Sequence, residues 1–273
     1  MLNPLASGDG WSASEISKTA GNHVRGECVH QHLTIGVMLA GSFQYESEHF
    51  KHVFFPGSAL VSAGGQRFAC EHDGLTDNSL LLLRYSADNF ERLALDAGAP
   101  LDPNRILSHA LSLPNSALPL IAEVRNGILS KDETAWDDLS FRIGAEVMRA
   151  LAKSTEEERV ISAGDHRRIA LAVRFIEAAY QQTLTLAEMA AAAALSPYHF
   201  LRRFRQIVGM TPHQFLIRKR LQEAAISLRR THESITSIAL RVGFGDLSNF
   251  TRTFRHAFGV SPGVYRTMNR GRA

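Results

Sequence analysis

Two kinds of hydrophobic periodicity divide this chain. Up to about residue 85, apolar residues come in short runs: Val29 to Ala40, His52 to Phe55, Ser58 to Ala63, Phe68 to His72 and Leu80 to Tyr85. Pro56-Gly57 and Gly64-Gly65 punctuate them. Runs of that length between turn residues predict antiparallel strands of a sandwich or barrel. Farther on the period lengthens to that of helices. Leu120 to Leu129 and Asp137 to Lys153 are predicted helices, the second with Trp136, Leu139, Ile143, Val147 and Leu151 as its stripe. The two are expected to pack as an antiparallel pair.

The last hundred residues contain an internal repeat. A shift of fifty superimposes Phe200, Arg202, Phe204, Arg205, Gly209 and Pro212 on Phe250, Arg252, Phe254, Arg255, Gly259 and Pro262. Upstream the shift becomes forty-nine, so that Leu186, Met189, Ala190, Ala193, Ala194 and Leu195 align with Ile235, Ile238, Ala239, Val242, Gly243 and Phe244. Each copy predicts a short helix, a tight turn and a second helix. In the first copy Thr185 and Glu188 form a capping box, and Ser196 followed by Pro197 starts the second helix. On that helix Phe200, Phe204 and Ile207 fall on one face, opposite Tyr198, Leu201, Arg202 and Arg205. In the second copy Phe250, Phe254 and Ala257 point inward and Ser248, Thr251, Arg252 and Arg255 outward. Between the copies, Pro212 to Arg229 predicts one helix about 27 Å long. That length sets the two outward faces about one DNA turn apart.

Charge gives the repeat a meaning. The 273 residues carry a net charge of only +3, but residues Met1 to His166 hold −9 and Arg167 to Ala273 hold +12. A basic half on an acidic one suits a nucleic-acid binder, because Lys and Arg displace counterions from phosphates. The polar, acidic stretch from Lys153 to Glu158 and Gly164 predict a linker over 153–165, between domains at 1–152 and 166–273. Apolar residues at 45% and charged residues at 21% are ordinary globular values. The start of the chain has no secretory pattern and Leu80 to Leu83 is too short for a membrane span, so a cytoplasmic protein without membrane contact is expected. Cys28 and Cys70 are expected to remain thiols.

The outward helix faces carry the chemistry of major-groove recognition: Arg can pair with guanine edges, Ser and Thr donate or accept, and Leu meets thymine methyls. Arg205 and Arg255, farther along each helix, suit phosphates. In the first half, alternation puts Cys28, His30, His32 and Thr34 on one strand face, with Phe68, Cys70 and His72 sharing another. If these faces meet, Cys28, His30, His32, Cys70 and His72 line a polar effector pocket or bind a soft metal. The pocket is the expectation, with no metal and no cofactor.

Residues 168–266 resemble the AraC/XylS family of bacterial transcription regulators. The resemblance rests on Gly243-Phe244, on Ser248 through Arg255, and on Gly259-Val-Ser261-Pro262-Gly-Val-Tyr265-Arg266. It implies base contacts from Tyr198, Leu201 and Arg202 and from Leu247, Ser248, Thr251 and Arg252. It further implies a cupin-like N-terminal β-barrel with flanking helices that binds a small effector, and helices that form a dimer contact. The expected partners are double-stranded promoter DNA, a small-molecule effector, a second copy of the chain and RNA polymerase. The chain is expected to be a regulator and not an enzyme. The competing reading is a metal-binding cupin enzyme, or a cysteine-based alkyl or redox sensor, fused to a DNA-binding module. One departure from the family pattern is Ala194, where the second copy has Gly243.

Overall fold

The computed structural model describes residues 2–21, 24–48, 51–72, 77–99, 108–130, 136–153 and 163–270. The chain divides into two compact units. One comprises Met1–Leu113 and Gly127–Ala170, the other Pro114–Asn126 and Leu171–Ala273.

The first unit is β-rich. A six-stranded antiparallel sheet has the order β1 (Leu2–Gly8), β2 (Trp11–Lys18), β9 (Asn78–Tyr85), β4 (Leu33–Ala40), β7 (Ser58–Ser62), β10 (His109–Ser112). A four-stranded sheet has the order β3 (Val24–Val29), β8 (Arg67–His72), β5 (Phe43–Ser47), β6 (Lys51–Phe54). Both sheets are open among the described residues, and they enclose a shared core. The edges explain why pairing stops. β1 carries Pro4, which lacks a donor, and β10 is four residues long. Met38 and Leu60 of one sheet pack with Phe43, Tyr45 and Phe54 of the other.

The run from Val29 to Ala40, expected as one strand, is two strands in different sheets. A turn separates them, held by the His30 N–H donating to Gln66 O and the Gly65 N–H donating to His30 O. The far face of the larger sheet is covered by α1 (Ala87–Asp96) and α3 (Trp136–Lys153). There Trp11 meets Phe141 edge-on and the Tyr85 hydroxyl donates to Ser140 O at 2.9 Å. The stripe of α3 is buried from Trp136 to Val147, with α1, β1 and β10 packed on the helix. Of the helix Leu118–Ser130, Gly127 lies against the Trp136 ring at the start of that stripe.

The second unit is helical: α5 (Leu186–Ala192), α6 (Pro197–Val208), α7 (Pro212–Arg230), α8 (Ile235–Arg241), α9 (Leu247–Phe258) and α10 (Pro262–Arg270), together with most of α4 (Ala163–Ala179) and the first nine residues of α2 (Leu118–Ser130). The long α7 packs against α5, α6, α8 and α10. Its Leu221, Ala225 and Leu228 share a core with Ile238, Phe250, Phe254 and, from α2, Ala122. Arg125 of α2 pairs with Glu223 of α7 at 2.9 Å, so Pro114–Asn126 groups here instead of with the strands.

Of the linker expected over 153–165, residues 154–162 lie outside those described. Its ends are helical: Lys153 closes α3 and Ala163 opens α4, where Asp165 sits favourably in the first turn. No helix among the described residues is long and apolar enough to cross a membrane.

Candidate nucleic-acid interface

Each repeat copy is built by capping chemistry. At the start of α5, the Thr185 backbone N–H and hydroxyl both donate to the Glu188 carboxylate, at 2.8 and 2.7 Å. Those bonds, the backbone one foremost, hold the Glu188 carboxyl below its ordinary range. Ser196 caps α6, with Pro197 at the first helical position, and the Asp246 carboxylate caps α9 by accepting from the Asn249 N–H at 2.7 Å. Both second helices end on a left-handed glycine, Gly209 at φ 77° and Gly259 at φ 76°. Aromatic packing fixes the roll of each helix. Phe200 meets Phe204 and Phe204 meets Phe215 in the first copy, while Phe250 meets Phe244 and Phe254 stacks on Phe258 in the second.

With those faces buried, the opposite ones point to solvent. Tyr198 is 73% exposed, Leu201 38% and Leu247 40%. Arg202, Arg205, Ser248, Arg252 and Arg255 are exposed and Thr251 is half-buried. Leu247, Ser248, Thr251, Arg252 and Arg255 line a single open concavity of about 820 Å³ along α9. The structure thus brings together all five residues expected in the second copy. It adds His256 and Gly259 to the same wall. His256 was legible in principle, because it follows Arg252 by four residues on the same helix. The Arg252 guanidinium donates to the Asn249 side chain at 3.3 Å, which steadies it without neutralising it.

The five residues expected to line an effector pocket are dispersed. Cys28 and His32 are exposed, whereas His30 is buried and Cys70 and His72 are half-buried. His30 stacks on Phe68 with ring centres 4.1 Å apart and shares a hydrogen bond with the Tyr45 hydroxyl at 3.2 Å. His72 bonds the Asn78 amide at 2.7 Å and stacks on Phe43. Among the described residues no three His, Cys, Asp or Glu side chains converge as metal ligands. The Cys70 thiol is pushed up to about 12 by burial, with the neighbouring Cys28 adding to it. A protonated thiol is a poor nucleophile, which counts against Cys70 as an alkyl or redox sensor.

Sequence reasoning overlooked a hydroxyl chain between the sheets. Tyr45 Oη lies 3.3 Å from Ser108 Oγ, Ser108 Oγ lies 2.7 Å from Ser62 Oγ, and the Ser108 hydroxyl donates to Gln66 at 3.2 Å. These residues come from β5, β7, the turn before β8 and the lead-in to β10, and single hydroxyls scattered that widely leave no spacing to detect.

A family model described as a helix-turn-helix domain matches residues 189–268. The TetD protein of transposon Tn10 from Escherichia coli is 36% identical over 92 residues, 34% of this chain and 67% of TetD. The transcriptional activator RhaS of Citrobacter koseri is 29% identical over 235 residues, 81% of each chain. A solved transcriptional regulator of the AraC-type DNA-binding class, from Chromobacterium violaceum, is 29% identical over 40% of this chain and 96% of its own, with a TM-score of 0.37. Several other relatives are matched over only 26 to 39% of their length.

Proposed function

Because the chain belongs to the AraC family of helix-turn-helix regulators, we propose that it regulates transcription by binding double-stranded promoter DNA sequence-specifically through α6 and α9. The observation that carries this is the open concavity on α9, lined by Leu247, Ser248, Thr251, Arg252 and Arg255. Arg202 and Arg252 reach base edges in successive major-groove segments, helped by Tyr198, Leu201, Ser248 and Thr251, while Arg205 and Arg255 hold phosphates. α7, nineteen residues long, spaces the two helices by about one DNA turn.

The β-rich unit supplies the signal. A small effector binds in a cupin-like interior between the two sheets, against the hydroxyls of Tyr45, Ser62 and Ser108 and beside His30, Cys70 and His72. The chain acts in the cytoplasm as a homodimer that touches RNA polymerase, and paired copies raise the effective concentration of each DNA-binding unit.

Selection of bound sequences from random DNA by the purified protein is expected to yield a site with two half-elements. On that site Arg202→Ala and Arg252→Ala each lose about 1 to 3 kcal/mol, with little loss on scrambled DNA. Equal losses on both DNAs make the two arginines phosphate clamps, and enrichment of no sequence overturns the reading.

A further inference from the structure

The smaller sheet of the β-rich unit ends in a strand that no other strand covers among the described residues. β3 is that edge: it pairs with β8 on one side only, and Arg25 through Val29 are all exposed. A Cβ on Gly26 would meet no atom within 4 Å. Which backbone groups face outward follows from the register. The His30 N–H donates to Gln66 O at 2.9 Å, and that bond continues the pairing in which Cys28 faces Phe68 and Gly26 faces Cys70. Bonded and non-bonded pairs alternate along an antiparallel ladder. Gly26 and Cys28 therefore bond to β8, whereas Arg25, Glu27 and Val29 turn their N–H and C=O groups to the open edge. Groups displayed in that way are a template for a further strand.

Charge decides which strand fits. Arg25 and Glu27 flank Gly26 and lie on one face of the sheet. Reversed about Gly26, the segment is its own complement: Arg25 of one copy comes opposite Glu27 of the other, twice, at positions whose backbone groups face outward. Other registers fit worse. An axis at Arg25 or Glu27 opposes like charges, an axis at Cys28 leaves both charges unmatched, and an axis between two residues sets outward-facing groups against inward-facing ones. Within its own sheet Arg25 lies 3.7 Å from Glu46, both side chains being exposed. A guanidinium has five N–H donors, so that contact does not saturate it.

We propose that β3 is a self-association edge: two copies of the chain pair β3 to β3, antiparallel, with the two-fold axis at Gly26. Two four-stranded sheets then become one of eight, a size that open sheets reach. The interface is isologous, as a two-fold contact requires. Because the paired edge is short, the contact belongs with small, reversible interfaces. The proposal rests on the homodimer reading given above and is independent of DNA recognition by α6 and α9.

Sedimentation equilibrium of the full chain, from about 1 to 500 µM, tests it. The unaltered chain is expected to dimerise reversibly in that range. Arg25→Glu and Glu27→Arg, each alone, set like charges opposite one another at both pairs and are expected to weaken the dimer about tenfold or more. Mixed in equal amounts, the two variants have opposite charges at every pair, and the mixture is expected to dimerise about as tightly as the unaltered chain. The double variant, self-complementary again and of unchanged net charge, is expected to dimerise by itself. Both positions are exposed, and unaltered tryptophan fluorescence shows that each variant is folded. Single variants that dimerise like the unaltered chain overturn the edge and leave a homodimer through another surface. A mixture that stays monomeric overturns the register and with it the proposal. An unaltered chain that is monomeric throughout overturns the homodimer reading as well.

Discussion

Ala194 is held at φ 50°, the sole non-glycine residue at positive φ among those described. The repeat explains why: its partner in the second copy is Gly243, at φ 97°. Both turns are closed by the same bonds, from the Leu195 N–H to Ala190 O and from the Phe244 N–H to Ala239 O. A Cβ in the left-handed region crowds the following carbonyl. Ala194→Gly should therefore stabilise the helical unit by about 0.5 to 1 kcal/mol, after allowance for the entropy that glycine gains when unfolded. Gly243→Ala is not its mirror image, because a Cβ there would lie 2.8 Å from both Arg220 Nε and the Gln181 carbonyl. It should cost about 1 to 3 kcal/mol. Urea midpoints followed by far-ultraviolet circular dichroism check both, and a destabilised Ala194→Gly defeats the strain argument.

At the scale of elements, the chain announced its helices more clearly than its strands. The caps at Thr185 and Ser196, Pro197 and Pro212 at first positions, and the phenylalanines spaced by four set α5, α6 and α7 nearly to their observed ends. Local chemistry alone makes those boundaries, so they are visible without the rest of the molecule. β1 and β2 went unseen because Leu2–Gly8 and Trp11–Lys18 contain few large apolar residues. They are strands because β9, a partner far along the chain, pairs with β2 along its whole length and β2 in turn pairs with β1. The break between β3 and β4 leaves only a faint trace, the three consecutive polar residues His30, Gln31 and His32, and it is the bond to the Gln66 carbonyl that shows where the chain turns. Apart from Leu247, which only the resemblance named, the residues expected to face DNA followed from helical spacing, whereas the hydroxyl chain of Tyr45, Ser62 and Ser108 depends on sheet register. Register also governs a position in α3. Gly144 lies mid-helix, where alanine ordinarily gains about 1 kcal/mol, but a Cβ would sit 2.7 Å from Tyr85 Oη and 2.9 Å from Leu93 Cδ2. Gly144→Ala is expected to cost about 1 to 3 kcal/mol net, measured as a lower urea midpoint of tryptophan fluorescence. A stabilised variant means that α3 does not pack so closely on β9.

The molecule joins two units of opposite charge whose stabilities answer to different chemistry, and its two tryptophans separate them. Trp11 and Trp136 both belong to the β-rich unit and both are buried, so their fluorescence follows that unit alone. Within it, burial, and secondarily the charge of Arg84, lowers His30 from 6.5 to about 4. Burial, with the nearby His166 contributing, lowers His52 to about 3. The native state therefore prefers neutral imidazoles, while the unfolded chain takes up protons already near pH 6.5. Between about pH 6.5 and 4 the unfolded state binds more protons, which makes stability rise with pH over that window. The contribution of His30 is complete above pH 6.5, is lost as pH falls toward 4, and changes no further below it. The urea midpoint of tryptophan fluorescence should accordingly decline from pH 7 to pH 4. His30→Gln, which keeps a polar group near the Tyr45 hydroxyl but does not titrate, should start lower at pH 7 and decline less steeply. A slope unchanged by His30→Gln assigns the acid response to His52 and its neighbours, and removes His30 as the group through which this unit senses pH.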